Sequence, residues 1–408
     1  MKRIFFCFSL ALYCLLYVGQ SLCDPLLVVV LMVKNEAQVM APTLQPFADA
    51  GIDSYFIFDT GSTDDTIAVT EQFFKDHGIK QGVIEQEPFI DFASSRNRAL
   101  RRAEANFPEA VFMLMLDAEW HLKNGSELLK FCAEHRMDNQ DSYLINVVAP
   151  NLDFCTQRLM RAHRGVKFVG VVHEVLDRVS YLRVPKNVFF ELHTTQYGRE
   201  KSERRWLRDR DLLLKEHERN PLDSRTAFYL AQTYDCLGDW ENARIYYTKR
   251  CAMPGWDEEN FMAYYRLAQV YENLKQWDKA LHYYMEAYSM RPGRVEPLVR
   301  VANYYLASQK FDLSFLFARH AAEIAYPEND TLFIDKYLYD FMRHDILGQC
   351  AWYVGKYPVG EAAVRKALTV QPDAPHLRGN LALYLKKRSE LKALQAQENL
   401  DLDISKHA

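Results

Sequence analysis

Cysteine is scarce in this chain, which contains 8 among its 408 residues. If the first 23 residues are removed by cleavage after Cys23, five cysteines remain, namely Cys132, Cys155, Cys236, Cys251 and Cys350. So few thiols, and an odd number of them, argue against the disulfide framework that stabilises small secreted domains. With 49% hydrophobic and 25% charged residues, a chain of this length is expected to build packed cores in two or three domains instead.

A strong excess of either charge is also missing, because the formal net charge is only −4. This balance argues against a general nucleic-acid binder, so we expect no nucleic-acid partner.

Glycine-rich phosphate loops are missing as well, since neither G-x-G-x-x-G nor G-x-x-x-x-G-K-[ST] occurs in a suitable context. A ligand that carries phosphate would therefore have to be held in another way.

No apolar run reaches the roughly 20 residues that a membrane-spanning helix needs. The N-terminal run, Ile4–Val18, follows the basic residues Lys2 and Arg3 and precedes small and polar residues. This order is typical of a secretory signal peptide, which we place at 1–23. It predicts the secretory pathway, with the ER or Golgi lumen, the periplasm or the exterior as the destination. An uncleaved signal anchor, attached to a membrane, is the alternative.

Between Leu26 and Asp117, apolar runs alternate with segments of helical pattern. The runs 26–33, 54–59, 82–86 and 111–116 are predicted strands, and 64–78 and 94–106 are predicted helices. Continuous apolar strands separated by helices are typical of an α/β domain whose mostly parallel sheet is covered on both faces. We assign this domain to residues 24–200.

Three of the predicted strands end in polar or acidic residues. Asn35 and Glu36 follow the first strand, Asp59 ends the second, and Asp117 and Glu119 follow the fourth in the segment FMLMLDAEW. Because ligands of open α/β sheets bind beyond the carboxyl ends of the strands, we interpret this edge as a site. On an extended chain, Asp117 and Glu119 would point to the same side, and two close carboxylates need a cation or a proton between them. A divalent metal that holds a diphosphate would supply that cation.

The second half of the chain repeats itself. FYLAQTYDCLGDWENARIYY (228–247) recurs as YRLAQVYENLKQWDKALHYY (265–284), and two weaker copies follow, the last after an insertion. Small residues where helices cross, aromatic residues between them and a period of about 34 residues are typical of the tetratricopeptide repeat, abbreviated TPR. The predicted segments are a helical linker at 201–221, an all-α TPR-like solenoid at 222–390 and a tail at 391–408.

Several segments of the chain, taken in order, resemble motifs of family 2 glycosyltransferases with the GT-A fold. They are VVVLMVKNE, IFDTGSTDDT, DFASSRNRAL, MLDAEW, VGVVHEVL and ELHTTQYG. The resemblance covers roughly residues 26–385 and is greatest to the branch with TPR repeats after the catalytic domain, which includes peptide S-glycosyltransferases. It implies a Rossmann-like α/β GT-A domain that transfers a sugar from a nucleoside diphosphate, typically UDP, to an acceptor.

By this resemblance, the residues at the strand ends hold the nucleotide-sugar donor. Asn35 and Glu36 are expected beside the nucleotide, and Asp59 is expected to bind its base. Arg96 and Asn97 are expected to line the donor pocket from their helix.

Asp117 and Glu119 occupy the position of the family's metal-binding D-x-D motif. Relatives usually read D-A-D, so this chain differs by having glutamate as the second acid, which is one methylene longer and still able to bind a metal. The resemblance implies Mn²⁺ or Mg²⁺ between these acids and the diphosphate, where the metal would neutralise charge on the leaving group.

The segments VVHE and ELHTT contain the remaining candidates for catalysis. Glu174 is the candidate general base that deprotonates the acceptor, and His193 is the candidate third metal ligand. His173 could exchange roles with His193, and Asp153 is a second candidate base.

Two functions fit these features. The first is a glycosyltransferase whose repeats hold a protein or peptide acceptor. The second is a catalytically silent GT-A and TPR scaffold that binds a protein partner, which the glutamate of the D-x-D position favours. Retention of the other donor-site residues favours the enzyme.

Overall fold

The computed structural model describes residues 25–149, 152–178, 180, 182–193 and 196–407. The chain divides into two compact units. Unit 1 is built from the chain up to Val147 and from Cys155–Thr194, and unit 2 from Val148–Phe154 and the chain from Thr195 onward. The predicted signal peptide at 1–23 lies outside the described residues. No helix in the described part of the chain is both long enough and apolar enough to cross a membrane.

Unit 1 is organised around a mixed β-sheet. The strands are β1 (Leu27–Val33), β2 (Ser54–Asp59), β3 (Gln81–Gln86), β4 (Phe112–Leu116), β5 (Trp120–Lys123), β6 (Ser142–Ala149), β7 (Leu152–Arg161), β8 (Phe168–Val169), β9 (Val175–Leu176) and β10 (Phe189–Leu192). An eight-stranded sheet has the order β3-β2-β1-β4-β7-β6-β10-β5, and β8 pairs with β9. The pairs among β1 to β4 are parallel, whereas β7 on β4 and β5 on β10 are antiparallel. The parallel sheet predicted for the segment between Leu26 and Asp117 is confirmed by β1 to β4, and the strands that follow add antiparallel pairs.

The four predicted strands match β1 to β4 to within one residue. These strands could be predicted from the sequence because parallel strands covered on both faces form continuous apolar runs. The strands after Asp117 have shorter or mixed patterns, and they acquire their place only through pairing with strands that are distant in the sequence.

Helices pack against this sheet. They are α1 (Ala37–Asp49), α2 (Thr66–Asp76), α3 (Phe92–Asn106) and α4 (Gly125–Glu134). In α3, Ala99 and Ala103 are buried in the same core cluster as Val28 of β1. The N-cap residue of α3 is Asp91, whose side chain accepts a hydrogen bond from the Ser94 N–H at 2.6 Å. Capping and packing together fix the helix that carries Arg96 and Asn97.

Unit 2 is a series of helical pairs. After α5 (Gln196–Arg219), the pairs are α6 (Ser224–Cys236) with α7 (Trp240–Cys251), α8 (Asp257–Asn273) with α9 (Trp277–Met290), α10 (Glu296–Ala307) with α11 (Phe311–Glu323), and α12 (Arg343–Tyr353) with α13 (Tyr357–Val370), followed by α14 (Pro375–His407). These pairs agree with the predicted repeats, and a π-helical turn at Leu338–Met342 follows the predicted insertion. The predicted linker at 201–221 lies mostly within α5, and the described part of the predicted tail, 391–407, is the second half of α14.

Small residues occupy the positions where the paired helices cross. In the first three pairs these buried positions hold Ala231 with Ala243, Ala268 with Ala280, and Ala302 with Ser314. The fourth pair has Gly348 and Gly360 at the corresponding places. A Cβ added to Gly348 would lie 2.6 Å from Val364 Cγ2, and one added to Gly360 would overlap the Tyr384 ring. The Gly348 contact shows a close approach of the paired helices α12 and α13, and the Gly360 contact shows a close approach of α13 and α14.

Candidate functional site

The carboxyl ends of three neighbouring strands, β2, β1 and β4, lie side by side at one edge of the sheet, as predicted. In the register of the sheet, Val33 of β1 pairs with Asp59 of β2, and Leu31 of β1 pairs with Leu116 of β4. Asp59 and the residue after β4, Asp117, are therefore separated by two strand spacings, or about 10 Å. One elongated ligand along this edge could contact both.

Asp59 is fully buried at the end of β2. Its Oδ1 atom accepts hydrogen bonds from the N–H groups of Gly61 and Ser62, both at 2.9 Å, and from Gln86 Nε2 at 3.2 Å. Its Oδ2 atom is also buried, and it has no hydrogen-bond partner among the described residues. One oxygen therefore organises the loop after β2, while the other retains an acceptor that a ligand N–H could use.

Asn35 and Glu36 support the same loop through the backbone and the side chain. The Asn35 N–H donates to Ser62 Oγ at 2.8 Å, and Asn35 Oδ1 accepts from the Thr63 N–H at 2.7 Å. The Glu36 N–H donates to Thr66 Oγ1 at 2.8 Å. The structure thus brings both residues to Asp59's loop, in contacts that shape it.

Asp117 belongs to a compact group of four charges. Arg96 donates through Nε to Glu174 and through Nη2 to Asp117. Arg158 Nη2 lies 3.3 Å from Glu174 Oε1 and 3.5 Å from Asp117 Oδ2. Both arginines are buried, and the side chain of Asp117 is 33% exposed. We call these four residues the arginine–carboxylate cluster.

Several N–H groups of the two arginines in this cluster make no hydrogen bond to the described residues. Arg96 Nη1 and the Nε and Nη1 atoms of Arg158 are buried and have no hydrogen-bond partner in the part of the chain that the structure describes. A buried polar group left without a partner costs about 1–3 kcal/mol, and more when it is charged. The arginine–carboxylate cluster is therefore arranged to give hydrogen bonds to a further acceptor.

The charges within the cluster also shift the pKa values of Glu174 and Arg158. Burial alone would raise the pKa of Glu174, but the positive charges of Arg96 and Arg158 hold it below its ordinary value. Burial, followed by the charge of Arg96, lowers the pKa of Arg158. Glu174 is a weak proton acceptor in this arrangement, and a role as general base would require the arginine contacts to change.

Asn97 lies on the same helix as Arg96, and both the oxygen and the nitrogen of its side-chain amide form hydrogen bonds. Its Nδ2 donates to the Phe168 carbonyl at 2.8 Å, and its Oδ1 accepts from the Phe168 N–H at 2.7 Å. Phe168 lies under the cluster, with its ring centre 6.0 Å from Arg96 Cζ. Asn97 thus holds the strand that carries this ring.

The expectation that Asp117 and Glu119 share one side of an extended segment is wrong. The chain turns between β4 and β5, and Glu119 takes a left-handed backbone conformation with φ of 73°. The Glu119 N–H donates to Thr43 Oγ1 at 3.0 Å, and its carbonyl accepts from the His193 N–H at 3.0 Å. Sequence alternation does not apply to a turn, so the spacing of the two acids does not fix their direction.

The two candidate histidines lie next to candidate acids, because the His193 N–H bonds to the Glu119 carbonyl and His173 directly precedes Glu174. The His193 ring stacks on His121, with centres 4.2 Å apart, and its Nε2 lies 2.7 Å from Glu191 Oε2. His173 is exposed at a left-handed φ of 52°. Asp153 belongs to unit 2, where its Oδ2 accepts from the Tyr326 hydroxyl at 3.1 Å. Asp153 therefore lies in contacts of the repeat unit and not in the arginine–carboxylate cluster.

The residues at this edge do not, as arranged, fit the predicted divalent metal. Each carboxylate oxygen of Asp117 lies against a guanidinium group. The described residues contain no group of three or more His, Cys, Asp or Glu side chains that could hold a metal ion. A metal coordinated largely by a bound diphosphate would need fewer protein ligands, so the metal stays a prediction from the family resemblance.

Arg158 is the important residue that the sequence did not reveal. It lies within the buried part of β7, between Trp120 and Phe168, whose ring centres are 5.4 and 5.6 Å from its Cζ. The only signal in the sequence was an arginine inside the segment RLM, where an apolar residue would be expected.

Comparisons with known proteins bear on unit 2. The family model described as tetratricopeptide repeat matches residues 261–294, which contain the second predicted copy. No curated protein matches the chain. The repeat match confirms the TPR-like prediction for the helical half, and TPR arrays present concave surfaces that bind proteins.

Solved structures of TPR proteins resemble part of the chain. The C-terminal part of a TPR repeat-containing protein from Cytophaga hutchinsonii has 13% identity and a TM-score of 0.37, over 45% of this chain and 66% of that chain. YrrB, a TPR protein with an unusual peptide-binding site, has 16% identity and a TM-score of 0.35, over 43% of this chain and 84% of that one. MamA has 12% identity and a TM-score of 0.33, over 49% of this chain and 99% of its own. At these TM-scores the likenesses carry no argument about function.

Proposed function

We propose that the chain is a glycosyltransferase of the family 2 type that binds a nucleoside diphosphate-sugar, with UDP as the expected nucleotide, at the carboxyl edge of the unit 1 sheet. A protein or peptide held by the TPR-like repeats is the proposed acceptor. The observation that carries the proposal is the partly used carboxylate of Asp59.

A uracil ring presents one N–H between two carbonyl oxygens, so it requires an acceptor flanked by donors. Asp59 Oδ2 is such an acceptor, because an ionised carboxylate can only accept hydrogen bonds. Gln86, whose amide reaches Asp59 Oδ1 at 3.2 Å, supplies a donor-bearing group beside it. The position beyond the end of a parallel strand is where open α/β sheets bind nucleotides.

One part of the proposal rests on the family resemblance. Glu174 would take the proton of the acceptor once its contacts with Arg96 and Arg158 have changed. For this chain's own residues, the geometry supports donor positioning by Asp59 and its loop, and charge-assisted hydrogen bonding from the arginine–carboxylate cluster.

The substitution Asp59→Asn tests the base contact with little change of volume. Asparagine retains a carbonyl oxygen for the N–H groups of Gly61 and Ser62, but it replaces Oδ2 by an amide donor. We expect the affinity for UDP, measured by titration calorimetry on the full chain, to fall at least tenfold. The melting temperature should change little, and the exposed Asp76→Asn serves as the control.

A chain that binds neither UDP nor GDP would contradict the glycosyltransferase proposal and favour the silent scaffold. Equal UDP affinities of the wild type and Asp59→Asn would place the nucleotide elsewhere. Incubation with UDP-sugars, followed by detection of released UDP, then separates an active transferase from a domain that only binds nucleotide.

A further inference from the structure

Two buried arginines on β7 differ in how their donors are used. Arg161 gives Nε to the Gln140 carbonyl at 3.3 Å, Nη1 to the Arg136 carbonyl at 2.7 Å and Nη2 to the His135 carbonyl at 2.6 Å. Arg158 is equally buried, 7% against 8% exposed, yet among the described residues its Nε and Nη1 have no partner. Backbone carbonyls of the fold accept hydrogen bonds from every nitrogen of Arg161, whereas they do not account for Nε and Nη1 of Arg158.

Aromatic packing explains only part of the Arg158 environment. Trp120 and Phe168 attract the guanidinium through their ring faces. Contacts of an N–H with a ring are much weaker than hydrogen bonds to oxygen. The rings therefore hold the cation in place without satisfying its donors, and they also restrict its rotamers, which prepares it for a ligand.

The position of the arginines also bears on the metal. A divalent cation bound to Asp117 would stand within a few ångströms of the two guanidinium groups that contact its oxygens, and like charges at that distance repel. Guanidinium groups and a metal are therefore alternative sources of positive charge beside Asp117. The described arrangement has the guanidinium groups there.

We propose that Arg158 and Arg96 bind the diphosphate of the nucleotide donor through their remaining N–H groups, and that this binding needs no divalent metal. The inference rests on the proposed function, because it names the groups that hold the donor at the same site. Each remaining N–H of a guanidinium group can give a charge-assisted hydrogen bond to a phosphate oxygen. Asp59, about 10 Å away across two strands, would contact the base of the same ligand.

Titration calorimetry with UDP and with inorganic pyrophosphate, each in EDTA and in Mn²⁺, tests this inference on the full chain. The variants are Arg158→Lys and the matched control Arg161→Lys. Lysine keeps the charge beside Glu174 but removes the planar fork. We expect UDP to bind in EDTA, and Arg158→Lys to weaken UDP and pyrophosphate at least tenfold. Arg161→Lys should lower the melting temperature and leave both affinities within twofold.

Different outcomes separate this inference from the proposed function. UDP binding that requires Mn²⁺ and is unchanged in Arg158→Lys would overturn the inference while the nucleotide site stands. Pyrophosphate binding that depends on Arg158, with no added affinity from uridine, would support the diphosphate site and contradict the nucleotide donor. Absence of binding by UDP, GDP and pyrophosphate would overturn both. The EDTA measurement on the wild type needs no variant, so it decides the metal question even if Arg158→Lys does not fold.

Discussion

Each unit of the protein contains a buried cluster of arginines and carboxylates, and the two clusters are used differently. In unit 2, Arg294 is buried, and all three of its nitrogens have acceptors. Nε lies 2.9 Å from Glu296 Oε1, Nη1 lies 3.2 Å from Asp330 Oδ2, and Nη2 lies 3.0 Å from the Phe333 carbonyl. Tyr339 adds a hydrogen bond to Glu296 Oε2 at 3.1 Å. The cluster ties the insertion before the fourth repeat to the start of α10.

The arginine–carboxylate cluster of unit 1 has similar burial and the same residue types, but three of its guanidinium nitrogens have no partner among the described residues. Buried charges are tolerated when they are paired and hydrogen-bonded. A cluster whose donors are all used holds the fold together, whereas one with donors in reserve is suited to a ligand. Unused donors alone do not mark a site, since Nη2 of the buried Arg250 in unit 2 also has no partner among the described residues. In unit 1, three such donors lie in one cluster with Asp117, whose side chain is 33% exposed.

Removing Arg294 should produce the largest loss of stability. It tests the claim that the cluster around Arg294 stabilises the fold of unit 2. Arg294→Ala leaves Glu296 buried without its cation, and loss of one partner of a buried pair costs about 3–5 kcal/mol. Denaturation with guanidinium chloride measures the loss.

The control for Arg294→Ala is Arg319→Ala, which removes an exposed partner of Glu323 at 3.5 Å. Such surface pairs contribute at most about 0.5 kcal/mol. If both variants lose the same stability, the buried cluster is not the structural element that its hydrogen bonds indicate.

Lowering the pH extends the comparison to a buried basic side chain that has no carboxylate among the groups that shift its pKa, His344 of α12. Burial, with the charges of Arg343 and Lys366, lowers the pKa of His344 from 6.5 to about 4. Between these values the unfolded chain takes up a proton and the folded chain does not, so the free energy of unfolding should fall as the pH falls from 7 to 4. The full effect is about 3 kcal/mol.

Urea denaturation at pH 7 and at pH 4.5 measures the loss due to His344. In His344→Gln the difference between the two pH values should be smaller by about 2.4 kcal/mol, because pH 4.5 lies above the folded-state pKa of about 4. An unchanged difference would show that His344 is protonated in the folded state and that unit 2 accommodates its charge.

A change of packing without a change of charge should have the smallest of the three effects. In Gly360→Ala the new methyl group would overlap the Tyr384 side chain where α13 packs against α14. Such overpacking costs about 1–3 kcal/mol. Thermal unfolding measures it.

Gly379→Ala is the matched control, because no atom lies within 4 Å of the added Cβ and its backbone φ is not positive. Alanine there should stabilise α14 by up to about 1 kcal/mol. Equal effects of the two substitutions would contradict the close approach of α13 and α14.

Much of the fold could be predicted because its signals are local. The apolar runs of β1 to β4 and the repeated alanine and aromatic positions of the helical pairs follow from neighbours in the sequence. β5 and β10 could not be predicted in this way, because Trp120 and Leu192 become paired only when distant segments meet. The acids at the sheet edge were predicted for the same local reason, since each follows an apolar strand directly.

The sequence by itself determined the repeats, the first four strands and the concentration of polar residues at their carboxyl ends, because periodicity and strand ends depend on residues that are close along the chain. Only the tertiary structure decided what those residues contact. Arg96 and Glu174 are 78 positions apart and form an ion pair only after α3 and the loop before β9 pack together. Arg158 joins them from β7, and whether its donors are used depends on every group around it, because an ion pair is a property of three-dimensional distance.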